Sequence, residues 1–169
     1  MTVIAATSTP AALAAKQATA TIPIVFTIGG DPVETGLVPS LNRPGGNVTG
    51  VTRYNVELAP KRLELLHDLV PGVSEIGLLV NPGNPNTETL SKSVHEAARK
   101  LGVEIHPVKA ENDNELGNAF ATLNNLRVGA LLIGNDPFFN SRSERLAELA
   151  LRHLCRSTNT ADLSKPAAC

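Results

Sequence analysis

Short apolar runs alternate with longer helical stretches along almost the whole chain, and this alternation limits the fold more than any single motif. The strand-like runs are Val3–Thr7, Ile22–Ile28, Val48–Thr52, Glu75–Val80, Val103–Val108 and Val128–Gly134. Most are near-continuous in apolar, β-branched residues, the pattern of strands buried on both faces. Between them lie helical stretches. Thr9–Thr19 is alanine-rich with Pro10 in its first turn, and Glu57–Val70 carries a broad leucine face. A third helix starts near Thr87 and closes at Gly102, a residue suited to a left-handed terminus. Asn112–Arg127 reads as a helix capped by Asp113 or Asn114, and Ser141–Leu154 as another. The segment "PVETGLVPSL" is expected to form a short helix with Asp31 as cap and Pro32 as first residue. Repeated βα units imply an α/β fold with parallel sheets covered on both faces and right-handed crossovers.

Bulk properties exclude several partners. The 169 residues carry a net charge of −1, which argues against a nucleic-acid partner. No apolar run approaches the roughly 20 residues of a membrane helix, so no membrane insertion is expected. No signal peptide precedes the first strand. No cofactor is expected, since neither a P-loop nor a dinucleotide fingerprint occurs. No catalytic residue is assigned, because no HExxH, GxSxG or paired-carboxylate motif appears. No metal ligand is assigned, and Cys155 and Cys169 have no metal spacing. His67 and His95 lie on predicted helix faces among charged residues and read as solvated. "NVT" at Asn47–Thr49 matches a glycosylation acceptor, a pattern frequent by chance.

Four strand-to-helix loops hold the candidate binding residues, since open α/β sheets bind ligands at the carboxyl ends of their strands. In "TSTP", Ser8 and Thr9 precede a helix whose first N–H groups lack partners, a setting for a carboxylate unless these residues merely cap the helix. In "GGDPVE", Gly29 and Gly30 permit positive φ or close approach, and Asp31 suits a ligand amine or its own helix cap. In "NPGNPN", Asn81 or Asn84 offers an amide to a polar ligand or simply builds a turn. In "NDPFFN", one phenylalanine is expected to wall a pocket and the other to enter the core. Between Val48–Thr52 and the first amphipathic helix, Arg53–Val56 reads as a crossing between two lobes.

"IPIVFTIGGDPVETGLVPSLNRPGGNVTGVT", "KRLELLHDLVPGVSEIGLLVNPGNPN" and "GALLIGNDPFFNSR" together resemble the ABC-transporter substrate-binding family related to tryptophan/tyrosine-binding proteins. The resemblance runs from about Val3 to His153. It implies a two-lobed type I periplasmic-binding-protein fold that holds a small polar ligand, such as an amino acid, between its lobes. It also implies an ABC permease as partner. On that resemblance Ser8, Thr9, Gly30 and Asp31 lie on the first lobe, and Asn81, Asn84 and Asp136 on the second. A helix end near Ser8 holds a carboxylate, and Asp31 or Asp136 an amine.

The same resemblance divides the chain into a partial first lobe (residues 1–54), a truncated second lobe (55–154) and an irregular tail (155–169). Two leading βα units and a signal peptide are missing from the pattern. The protein is therefore expected in the periplasm if a lost N-terminus carried that signal, and in the cytoplasm if Met1 is the true start. The tail "CRSTNTADLSKPAAC" falls where an apolar strand is due, and a frameshift near Leu154 is the expected origin, with no disulfide role for its cysteines. The competing readings are a flavodoxin-like cytoplasmic enzyme acting on a nucleotide, and a remnant that binds nothing.

Overall fold

A computed structural model describes residues 2–153. The expectations for residues 155–169, including those for Cys155 and Cys169, lie outside the described residues. Two three-stranded sheets, all parallel, carry the fold. The first has the order β1 (Ile4–Ala6), β2 (Ile24–Ile28), β3 (Val48–Thr52), with helix α1 (Thr9–Ala18) between β1 and β2. The second has β4 (Glu75–Val80) at its centre, flanked by β5 (Glu104–Lys109) and β6 (Ala130–Ile133). Around it lie α2 (Ala59–Leu69), α3 (Thr87–Leu101), α4 (Asp113–Asn125), the single-turn α5 (Pro137–Asn140) and α6 (Ser143–His153).

The second sheet is covered on both faces. Ile76, Leu78 and Val80 of β4 pack with Leu63 of α2 and with Leu90 and Val94 of α3. Leu79 faces the other way, toward Leu116, Phe120 and Leu123 of α4 and Leu146 of α6. Gly77 makes room for α4, because a Cβ there would sit 2.5 Å from a Leu123 methyl. Pro107 is tolerated in β5 because that strand is at the sheet edge. The first sheet departs from the expectation of two covered faces. Ile24, Phe26 and Ile28 are buried against Ala12, Leu37 and Val38, while Val25 of β2 and Val51 of β3 are exposed.

Three local expectations are corrected. Pro32–Leu41 is a run of turns and bends, not a helix. Gly36 takes φ +72°, and the N–H groups of Leu37 and Val38 both return to the Pro32 carbonyl, which closes the segment before a helix can propagate. Helix α4 is capped by Asn112, whose side chain accepts from the Glu115 N–H, not by Asp113 or Asn114. The loop "NDPFFN" contains α5, with Asp136 as cap. Gly102 ends α3 with φ +71°, as the sequence implied.

Candidate functional site

The carboxyl ends of both sheets face a common cleft of about 120 Å³. Thr7, Ser8 and Thr9 enter it from the β1–α1 connection, Gly29 from the end of β2, and Arg53 and Asn55 from the segment after β3. From the second sheet come Asn84 and Asn86 after β4, and Asn135 and Asn140 around α5. The lining is amides and hydroxyls with one ionic side chain, Arg53, whose Nε lies 3.5 Å from the Thr27 hydroxyl. Such a lining suits a small polar ligand with an anionic group.

Helix α1 explains the place of Ser8. Its extended backbone and side-chain oxygen make it the cap, accepting from the Ala11 N–H at 3.4 Å. Thr9 is buried, and its hydroxyl accepts from the Asn86 amide of the second sheet's first loop at 3.0 Å. A second bond between the two sheet regions runs from the Thr89 hydroxyl to the Glu34 carboxylate, also 3.0 Å.

The paired glycines answer to this approach. Neither Gly29 nor Gly30 takes a positive φ. A Cβ on Gly30 would sit 2.4 Å from Asn86 Oδ1, and one on Gly29 would sit 3.0 Å from Asn135 Nδ2. Both positions are therefore glycine because asparagines of the opposite region lie against the backbone. Thr52 completes this corner by donating its hydroxyl to the Gly30 carbonyl.

The candidate acids sit differently. The Asp31 carboxylate accepts from the N–H groups of Val33 (2.6 Å) and Glu34 (3.2 Å), and it lies outside the cleft lining. Asp136 is buried, and its two oxygens are taken up by Asn81 Nδ2 (3.1 Å), Asn84 Nδ2 (2.7 Å) and the Phe138 N–H (2.8 Å). Asn84 in turn accepts from the Asn86 N–H at 3.0 Å. Asp136 thus organises the asparagine loop from beneath. Of the residues named from sequence, Ser8, Thr9 and Asn84 line the cleft, while Gly30, Asn81 and Asp136 stand directly behind its wall.

Sequence reasoning missed Arg53, Asn55, Asn86, Asn135 and Asn140. Asn86, Asn135 and Asn140 belong to loops already singled out, so the loops were legible and the particular amides were not. Arg53 and Asn55 fall in the crossing, where Tyr54 holds φ +51°, uncommon for a bulky residue. Of the aromatic pair, Phe139 enters the core as expected, buried with the α4 and α6 leucines, whereas Phe138 is absent from the cleft lining and lies 4.2 Å under the Arg142 guanidinium. His67 and His95 are half-buried, so each is only partly solvated. His95 Nδ1 lies 2.7 Å from the Ser91 carbonyl, and His67 Nδ1 is buried without a partner. Asn47 of the "NVT" triplet gives its amide to the carbonyls of Thr19 and Ile22.

Two parallel α/β sheets whose strand ends meet at a polar cleft define a periplasmic-binding-protein-like architecture of type I. The family described as ABC transporter substrate binding protein matches residues 1–150, and the chain belongs to it. A tyrosine-binding protein of Clostridioides difficile (strain R20291) is 40% identical over 121 residues, covering 71% of this chain and 34% of that protein. The solved ABC domain from Streptococcus pneumonia in complex with L-Trp matches with a TM-score of 0.79 and 27% identity, over 90% of this chain and 52% of its own. The ligand-free, open structure of a substrate binding protein with adhesive properties from Clostridium difficile matches with a TM-score of 0.52 and 30% identity, over 90% and 50%. The chain therefore spans about a third of the curated relative and about half of these solved structures. No helix among the described residues is long and apolar enough to cross a membrane.

Proposed function

We propose that this chain is the ligand-binding part of an ABC uptake system, and that it takes an amino acid in the cleft between two lobes divided near Arg53–Val56. The carrying observation is the cleft itself, with Arg53 as its single ionic side chain among hydroxyls and asparagine amides. In this reading Arg53 and the first turn of α1 hold the ligand carboxylate. Amide oxygens of the asparagine ring accept from the ligand ammonium. Ser8, Thr9 and Asn84 contact the ligand or its water shell, and Asn81 and Asp136 keep Asn84 in place. Gly30 lets the lobes meet, and Asp31 holds the turn beside it.

The names of the relatives support an aromatic amino acid, since one is a tyrosine-binding protein and another was solved with L-Trp. The higher TM-score to the L-Trp complex than to the ligand-free open form supports reading the present arrangement as closed. A role in binding rather than catalysis, an ABC permease as partner and a site of action outside the cytoplasm complete the proposal. The test is calorimetry with L-tyrosine and L-tryptophan. Saturable binding of either, weakened at least tenfold by Arg53→Ala, is expected. Failure of both amino acids to bind the folded protein overturns the amino-acid assignment.

A further inference from the structure

At the amino-terminal end of the second sheet, two carboxylates and an imidazole come together across one strand pair. Glu75 opens β4 and Glu104 opens β5, and the parallel register sets them side by side. His106 stands two residues beyond Glu104, on the same strand face. One donor atom from each residue lies within 4.8 Å of the other two, and His106 Nε2 touches a Glu75 carboxylate oxygen. Among the described residues no lysine or arginine forms an ion pair with Glu75 or Glu104. Three potential metal-ligand atoms are thus brought together by sheet register, with no lysine or arginine paired to either carboxylate among the described residues.

We propose that Glu75, Glu104 and His106 form a surface site for a divalent transition-metal ion, with Zn²⁺ as the best-matched occupant. The donor chemistry selects this class. Imidazole nitrogen favours zinc, copper and nickel, whereas calcium and magnesium favour all-oxygen sets of higher number. Zinc accepts a mixed nitrogen and carboxylate set at about 2.0–2.2 Å, with water in the remaining position. At tetrahedral angles donors bound at that length lie about 3.4 Å apart, so rotations of the two glutamate side chains are needed to close the present spacing. Both glutamates are at least partly solvent-accessible, which gives the ion an entry path and leaves those rotations free. The strand backbone beneath is already fixed, so binding orders little that is not ordered before.

The site is separate from the ligand cleft. Glu75 and Val80 are the two ends of β4, and five steps of about 3.3 Å place the cation roughly 16 Å from the cleft end of the strand. The site also ties the edge strand β5 to the central β4. Its occupancy should therefore raise thermal stability without altering amino-acid binding.

The experiment uses the whole chain, freed of metal with a chelator and titrated with ZnCl₂ near neutral pH by calorimetry and by thermal unfolding. One saturable site and an upward shift of Tm are expected, with at least tenfold weaker binding in Glu104→Gln and in Glu75→Gln. Both substitutions replace partly exposed side chains with near-isosteres, and circular dichroism checks their fold. CaCl₂ at the same concentration should produce no shift. Absence of saturable Zn²⁺ binding overturns the proposal. So does binding that survives intact in the Glu75→Gln/Glu104→Gln double variant, which would place the ion on other groups of the chain.

Discussion

The two sheets of this molecule share strand direction and strand number but differ in what covers them. In the second, β4 is buried along nearly its whole length, with separate apolar clusters on its two faces. In the first, β2 alternates between buried and accessible positions, and Val51 of β3 is 64% exposed. One helix and a turn segment serve the first sheet, whereas four longer helices pack around the second. A parallel sheet is normally sheltered on both sides. The difference teaches that stability and binding are unequally distributed here: the second region carries most of the core, and the first contributes the capped helix, the glycine pair and the arginine of the cleft.

The comparison is most easily broken in the core. Phe120→Ala removes a fully buried ring between α4 and the second sheet and should cost about 3–5 kcal/mol, read by urea unfolding. Val25→Thr on the open face of the first sheet should stay within about 0.5 kcal/mol of the parent. Equal losses from the two substitutions would show that both faces of the first sheet are sheltered in solution.

Asp136→Ala tests the support beneath the cleft. It strands the amides of Asn81 and Asn84 in a buried corner and should destabilise by about 1–3 kcal/mol. On the proposed function it should also weaken amino-acid binding. A variant with parent stability would remove Asp136 from its organising role.

Gly30→Ala should cost about 1 kcal/mol or less in unfolding, since the Asn86 side chain can swing aside, but it should break the Asn86–Thr9 bond. In an Asn86→Gly background the cost of Gly30→Ala in urea unfolding should disappear, which would confirm that the glycine answers to that asparagine. A cost of the same size in both backgrounds would point to backbone strain instead.

The smallest effect concerns pH. The Arg142 side chain, hydrogen-bonded to Asp113, holds that carboxyl below its usual range. Because the folded value lies below the unfolded one, the pair contributes in full above the unfolded value and is lost as pH falls through the folded value. The Tm difference between the parent and Asp113→Asn should therefore be slight at neutral pH and vanish in acid. A difference that grows on acidification would contradict the assignment.

Much of this architecture was legible from the chain. β4 was bounded correctly because its apolar run ends at the prolines and asparagines of the next loop, and β3 because its alternating valines and threonines stop at Arg53. Gly102 marked the end of α3 because few other residues accept its left-handed backbone. The cleft was legible only as loops. Asp31 reads the same whether it meets a ligand or the two N–H groups of its own turn, and only coordinates separate the cases. Asp136 finds its partners 52 and 55 positions away, and Gly30 meets Asn86 across the cleft, so no local pattern announces either. The failed helix at Pro32–Leu41 has a different cause: a good cap and first proline began a segment that Gly36 then turned aside.

The passage through Tyr54 has a mechanical consequence. Among the described residues the chain goes from the first sheet to the second once, along Arg53–Val56. Two parallel straps define a hinge axis, but a single strap defines only a pivot. Rotation of one sheet about the other is then restrained in direction by whatever else spans the gap: the Thr9–Asn86 and Glu34–Thr89 hydrogen bonds, and any guest between them. On the proposed function, a ligand seated across the cleft would add to the described span a geometric restraint that one strap alone does not supply.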